Sequence, residues 1–151
     1  MTLAIDTTLV HMKALSAIDT IERNLETLRY VDDESRQSLR TTDRIAQQSV
    51  RLRRVLDEFF EREQLELFPR IRRICGTDNE EVPRLRYHQQ QVLEALDRFI
   101  TALSDGGSQK QATPEEHFQA FVECFDARCD VERDFYQTYS TILYPGGVAT
   151  D

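Results

Sequence analysis

The chain has 151 residues, 40% hydrophobic and 30% charged, with a formal net charge of −8, which is one domain's worth of sequence with enough burial to fold without a disulfide or a metal. No apolar run approaches the roughly 20 residues of a membrane span, and the start, MTLAIDTTLVHMK, lacks a signal-peptide pattern. The acidic balance argues against nucleic acid unless a basic face exists, so the expectation is a cytoplasmic domain over 1–151 that binds neither membrane nor nucleic acid.

The first helix is expected from about Asp6 to Tyr30, on the stripe His11, Ala14, Ile18, Ile21, Leu25, Leu28, whose steps alternate between three and four. The polar stretch VDDESRQS ends that stripe. A second helix begins near Thr41, capped by Thr42 or Asp43, with the stripe Ile45, Ser49, Leu52, Leu56, Phe59, Glu63, Leu67. Pro69 kinks or ends it, and any continuation stops at Gly76, where GTDNEE reads as a turn. The third helix starts near Glu80, tolerates Pro83 in its first turn, and carries Leu85, His88, Val92, Leu96, Phe99, Leu103. SDGGSQKQA is the longest connection. The fourth helix has the clearest start: Thr113 is the cap, Pro114 takes the first position, and Glu116 completes a capping box. Its stripe is Phe118, Phe121, Phe125, Arg128, Glu132, Phe135, Tyr139, Ile142, and Pro145-Gly146-Gly147 ends it. No window alternates with period two. Amphipathic helices with short connections favour an all-α, antiparallel up-down-up-down four-helix bundle. FFEREQLELFP, Phe59 to Pro69, is echoed weakly by DFYQTYSTILYP, and both read as helix-end segments.

Arg51, Arg53, Arg54, Arg70, Arg72 and Arg73 are the best basic candidates, but they interleave with apolar residues and read as a solvated face. Cys75, Cys124 and Cys129 fit a reducing compartment and form no CxxC or zinc pattern. Cys124 and Cys129 are expected on different helix faces. There is no Gly-rich phosphate loop, nucleophile elbow, HExxH or ExxH pair, so no catalytic residue is assigned and no enzyme is expected. The informative residues are those that break the apolar stripes: His11, Glu63, His88, Arg128 and Glu132. A buried charge costs several kcal/mol unless it is paired or ligates a metal. Residues of this kind on all four helices point to one shared internal site. Each also has a plainer reading: a first-turn or core histidine, a glutamate at the stripe's edge, a surface ion pair four residues apart.

These residues resemble the hemerythrin-like, or HHE cation-binding, domains. That family's second helix carries His-x-x-x-Glu followed by LFP, and here FFEREQLELFP ends in Leu67-Phe68-Pro69. On this match Glu63 falls on the family's Glu and Phe59 on its His. The third-helix His matches His88, and the fourth-helix His-x-x-x-Glu matches Arg128 and Glu132. For the first-helix His, the stretch IDTIERNLETL puts Ile18 in place, while His11 lies two turns earlier on the same stripe. The resemblance implies a four-helix bundle holding a non-haem diiron centre that binds or senses oxygen. Phe59 and Arg128 depart from it, because neither side chain can ligate a metal.

Three readings follow. In the first, the site is degenerate and needs no cofactor: Arg128 supplies the cation for Glu63 and Glu132, with His88 in the network, and the domain binds or regulates. In the second, His11, Glu63, His88 and Glu132 retain a reduced metal site, with non-haem iron for oxygen or redox sensing or storage. In the third, the chain is a protein-interaction or small-ligand-binding bundle whose aromatic fourth helix lines a cavity. The expected partner is another protein, and exposed stripes of the first helix would suit a homodimer.

Overall fold

The computed structural model describes residues 7–28, 30, 36–104 and 113–143, without the side chains of 7–10 and 140–143. Asp6, the acidic part of VDDESRQS, residues 105–112 of the long connection, the Ile142 side chain and Pro145-Gly146-Gly147 lie outside the described residues. The chain is all-helical, with no strand among the described residues: α1 Thr7–Leu28, α2 Arg36–Arg62, a π-helical turn Glu63–Leu67, α3 Phe68–Cys75, α4 Glu81–Ser104 and α5 Pro114–Leu143.

α1 buries Ala14, Ile18, Ile21 and Leu25, as its spacing predicts. α2 begins at Arg36, earlier than the expected start near Thr41. The apolar pattern hid this extension, because the buried stripe continues backwards through the small polar residues Thr41 and Ser38. Ser49 is also fully buried, and its hydroxyl donates to the Ile45 carbonyl at 2.7 Å, so it needs no partner from another helix.

The long helical rod does not end at FFEREQLELFP. It widens into a π turn and continues as α3 to Cys75. Pro69 has no N–H, and in an α-helix its ring would clash with the carbonyl four residues back, at Leu65. The turn before it therefore opens, and the Phe68 N–H reaches the Glu63 carbonyl five residues earlier. The inserted residue shifts the buried face by one position, so Phe59 and Phe60 are buried on one side of the turn and Leu67 and Phe68 on the other. Gly76 ends α3 at φ +93°, a conformation that disfavours any side chain. Asn79 caps α4: its Oδ1 accepts from the backbone N–H groups of Glu81 and Val82, both at 3.0 Å. The capping box of α5 is formed in both directions, Glu116 N–H to Thr113 Oγ1 at 3.2 Å and Thr113 N–H to Glu116 Oε1 at 2.8 Å.

α1 packs on α2, α2 on α4, and α4 on α5, while α3 reaches both α4 and α5. Asn24 bonds Gln48 at 3.1 Å, Arg53 forks onto Asp97 at 2.8 and 3.2 Å, and Gln64 bonds Gln89 at 3.0 Å. Phe99 meets Phe118 at 4.8 Å between ring centres. The aromatic row of α5 is core: Phe118, Phe121, Phe125 and Phe135 are all buried, and successive rings touch from Phe118 to Phe125. Among the expected basic-face residues, Arg53 is neutralised by Asp57 and Asp97. The three thiols are free and half-buried.

Candidate functional site

The buried charges converge on one guanidinium. Arg128 and Glu132 are one turn apart on α5, so both face inward from the same stripe. Glu63 opens the π turn and faces them from the long rod. Arg128 and Glu132 are each 2% exposed and Glu63 is not exposed at all. Arg128 Nη2 donates to Glu63 Oε1 and, at 3.1 Å, to Glu132 Oε2. Its Nη1 donates to the Leu85 carbonyl of α4 at 2.8 Å. The ring of Phe60 lies 5.2 Å under the guanidinium carbon, close enough for a cation–π contact in a site shielded from water.

Gln89 of α4 completes the inner layer. It is 2% exposed, and its Nε2 donates to Glu63 Oε1 at 2.8 Å and to the Phe60 carbonyl at 3.3 Å. Gln64 Nε2 donates to the Gln89 Oε1 at 3.0 Å, which fixes the amide's orientation. Glu63 Oε2 and Arg128 Nε are buried with no hydrogen-bond partner among the described residues.

His11 closes the network on the side of α1. Its Nε2 lies 2.8 Å from Glu132 Oε1 and 3.9 Å from Cys129 Sγ, and its ring stands edge-on to Phe125. Of His11 and Ile18, His11 is the one that faces Glu132, while Ile18 is a core side chain. Phe59, at the position the resemblance gives to a histidine, is likewise core and rests against Phe60.

His88 is the expected site residue that the structure keeps out of the hydrogen-bonded network. It is only partly buried and stands edge-on to Tyr87. The buried stripe of α4 steps from Leu85 to Gln89 to Val92, so the inward position is Gln89. A step of three or of four from Leu85 fits helical periodicity equally well, and an uncharged Gln among neighbours of the same type looks like surface. The sequence signal for Gln89 was only that a four-three-four-three run passes through it.

The electrostatics follow from this geometry. Burial pushes Glu63 up to about 7, with the Glu132 charge adding to that and Arg128 and Gln89 opposing it. Burial also disfavours the Glu132 carboxylate, but His11 and Arg128 outweigh it and hold this group below its usual range. Arg128 shows the complementary balance: burial opposes its charge, and Glu63 and Glu132 more than restore it. The Cys129 sulfur and the Glu132 carboxylate push His11 up to about 10 against the cost of its partial burial. His88 is lowered by burial and by the positive charges of Arg128 and Arg84.

No protein-family profile, curated protein or solved structure matches this chain. Among the described residues no group of three or more His, Cys, Asp or Glu side chains is arranged to hold a metal ion. Of the four residues expected as ligands, His11, Glu63 and Glu132 come together around Arg128, and His88 stands aside.

Proposed function

We propose that the chain is a hemerythrin-like, antiparallel up-down-up-down bundle in which an internal arginine takes the role of the metal, and that it serves as a binding or regulatory module, not a catalyst. One observation carries this reading: the Arg128 guanidinium bonds both Glu63 and Glu132 in the interior. Two buried carboxylates need a cation between them, and the guanidinium supplies charge and hydrogen bonds together, its Nη2 reaching both of them. The residues do not fit the iron pair that the resemblance implies. Both carboxylates are already bonded to a permanently charged side chain, Phe59 offers no lone pair, and a metal ion between Glu63 and Glu132 would lie against like charge.

The antiparallel arrangement is supported by the order of the contacts. Along α2 and the π turn, Arg53 pairs with Asp97 and Gln64 with Gln89, so one helix rises as the other descends. Between α4 and α5, Glu81 meets Tyr139, Leu85 meets Arg128 and Phe99 meets Phe118 in the same reversed order. A regulatory role is supported by Glu63, whose carboxyl at about 7 changes charge near neutrality and alters the balance around Arg128.

Elemental analysis and an absorbance spectrum test the proposal on protein expressed with iron supplied. The expected result is substoichiometric metal and no near-ultraviolet oxo-to-iron band. Stoichiometric iron with such bands would overturn it and make His11, Glu63 and Glu132 ligands, with oxygen or redox sensing as the function.

A further inference from the structure

α2 places Arg36, Arg40 and Arg44 one turn apart on a single stripe near its start. Together with Asn24, Thr27, Gln37 and Thr41 they line a pocket of about 530 Å³ between α1 and α2. That size suits a small-molecule ligand. In a chain of net charge −8 this pocket is lined, among the described residues, by three cations and no carboxylate. Arg23, Arg53 and Arg133 are answered by acids, Asp19, Asp57 with Asp97, and Asp130 respectively, while other surface arginines such as Arg51, Arg54 and Arg73 have no ion pair among the described residues and line no such pocket. Arg36, Arg40 and Arg44 have no ion pair among the described residues. Like charges at this spacing repel one another, so the stripe favours an anion that bridges them. Thr41, buried to 5% exposure, lines the same pocket and adds a hydroxyl to its wall.

We infer that this pocket binds a phosphate-bearing small anion. Guanidinium forks match phosphate oxygens two at a time, and Asn24, Thr27 and Gln37 supply neutral polar groups around them. The pocket lies roughly 30 Å along the helix from Glu63, at 1.5 Å rise per residue, and does not depend on the Arg128 reading. Loss of one inference would leave the other standing.

The test is calorimetric titration of the full chain with pyrophosphate and with orthophosphate, against sodium chloride at matched ionic strength. Saturable binding is expected, tighter for pyrophosphate, with a salt-matched rise in melting temperature. Arg40→Gln should weaken it about tenfold or more, the loss of one charge-assisted contact. The triple variant R36Q/R40Q/R44Q should abolish it, while R51Q/R54Q/R73Q, with the same change of charge, should leave it intact. Equal weakening by both triple variants would reduce the effect to general charge and overturn the inference. So would absence of binding by the native chain. If D32N/D33N/E34Q then bound pyrophosphate, the pocket would belong to the chain's own carboxylates, which also overturns it.

Discussion

At the scale of single residues, Arg128 is the side chain on which the interior depends. Removing one partner of a buried ion pair leaves the other charge uncompensated and costs about 3–5 kcal/mol. Arg128→Gln should therefore lower the unfolding free energy by about that amount in urea titration, and unchanged stability would remove the buried-network reading. The two carboxylates should differ. Glu132 is stabilised as an anion by His11 and Arg128, whereas burial already favours the neutral form of Glu63. At pH 6, Glu63→Gln should be the milder substitution and Glu132→Gln the more damaging one. The pH dependence has a definite sign. Glu63 is raised from 4.5 to about 7 in the folded chain, so its contribution is complete below 4.5 and is lost as pH rises through 7. His11, raised from 6.5 to about 10, contributes fully below 6.5 and loses its contribution as pH rises through 10. Glu132 acts in the opposite sense at acid pH, where protonation removes its contribution. Melting temperature should fall from mildly acid to alkaline pH, and His11→Gln should flatten the alkaline part of the curve. A curve for His11→Gln parallel to the native one above pH 7 would contradict the His11–Glu132 pairing.

At the scale of elements, helix ends carry stability that no core contact replaces. Thr113→Ala and Asn79→Ala should each cost about 1 kcal/mol by removing a cap, read as a shift in the urea midpoint with unchanged slope. Gly76→Ala meets open space, so its cost is backbone strain at φ +93° alone, about 1–3 kcal/mol. The π turn is the element that sets the site. α-Helical spacing alone would keep Glu63, Leu67 and Ile71 on one face but turn Phe68 roughly 140° from Glu63, and the π turn is where all four are buried. Sequence spacing brought Glu63 onto the stripe, and Pro69 marked where the helix is disturbed. The widening that accommodates Pro69 had no separate signal, because it arises from packing on both flanks of the turn.

At the scale of the whole molecule, the polar network competes with the hydrophobic core that surrounds it. Replacing a buried ionic group entirely by apolar residues of similar size is often neutral or stabilising, by about 1–4 kcal/mol, while breaking it is costly. The triple variant E63M/R128L/E132L should therefore fold, melt no lower than the native chain, and lose the acid and near-neutral parts of the pH dependence. A much less stable triple variant would mean that the network itself, with Gln89 and the Leu85 carbonyl, holds the helices in register. Among the described residues no helix is long and apolar enough to cross a membrane. The buried apolar residues of the helices form one core cluster.

Helical class was legible because apolar residues recur at three and four, and the capping box of α5 because its side chains act on neighbouring backbone. The burial of Glu63, Arg128 and Glu132 was legible too, since charges on an apolar stripe have few other places to go. Tertiary structure alone decided that Gln89 sits inside in place of His88, that His11 and not Ile18 meets Glu132, and that α2 starts at Arg36. Periodicity assigns a residue to a face only to within about one step, roughly 100° around the helix. A hydrogen bond needs its atoms placed to within a few tenths of an ångström. That placement comes from how α1, α4 and α5 pack around the widened rod, a contact between distant parts of the chain that local spacing does not encode.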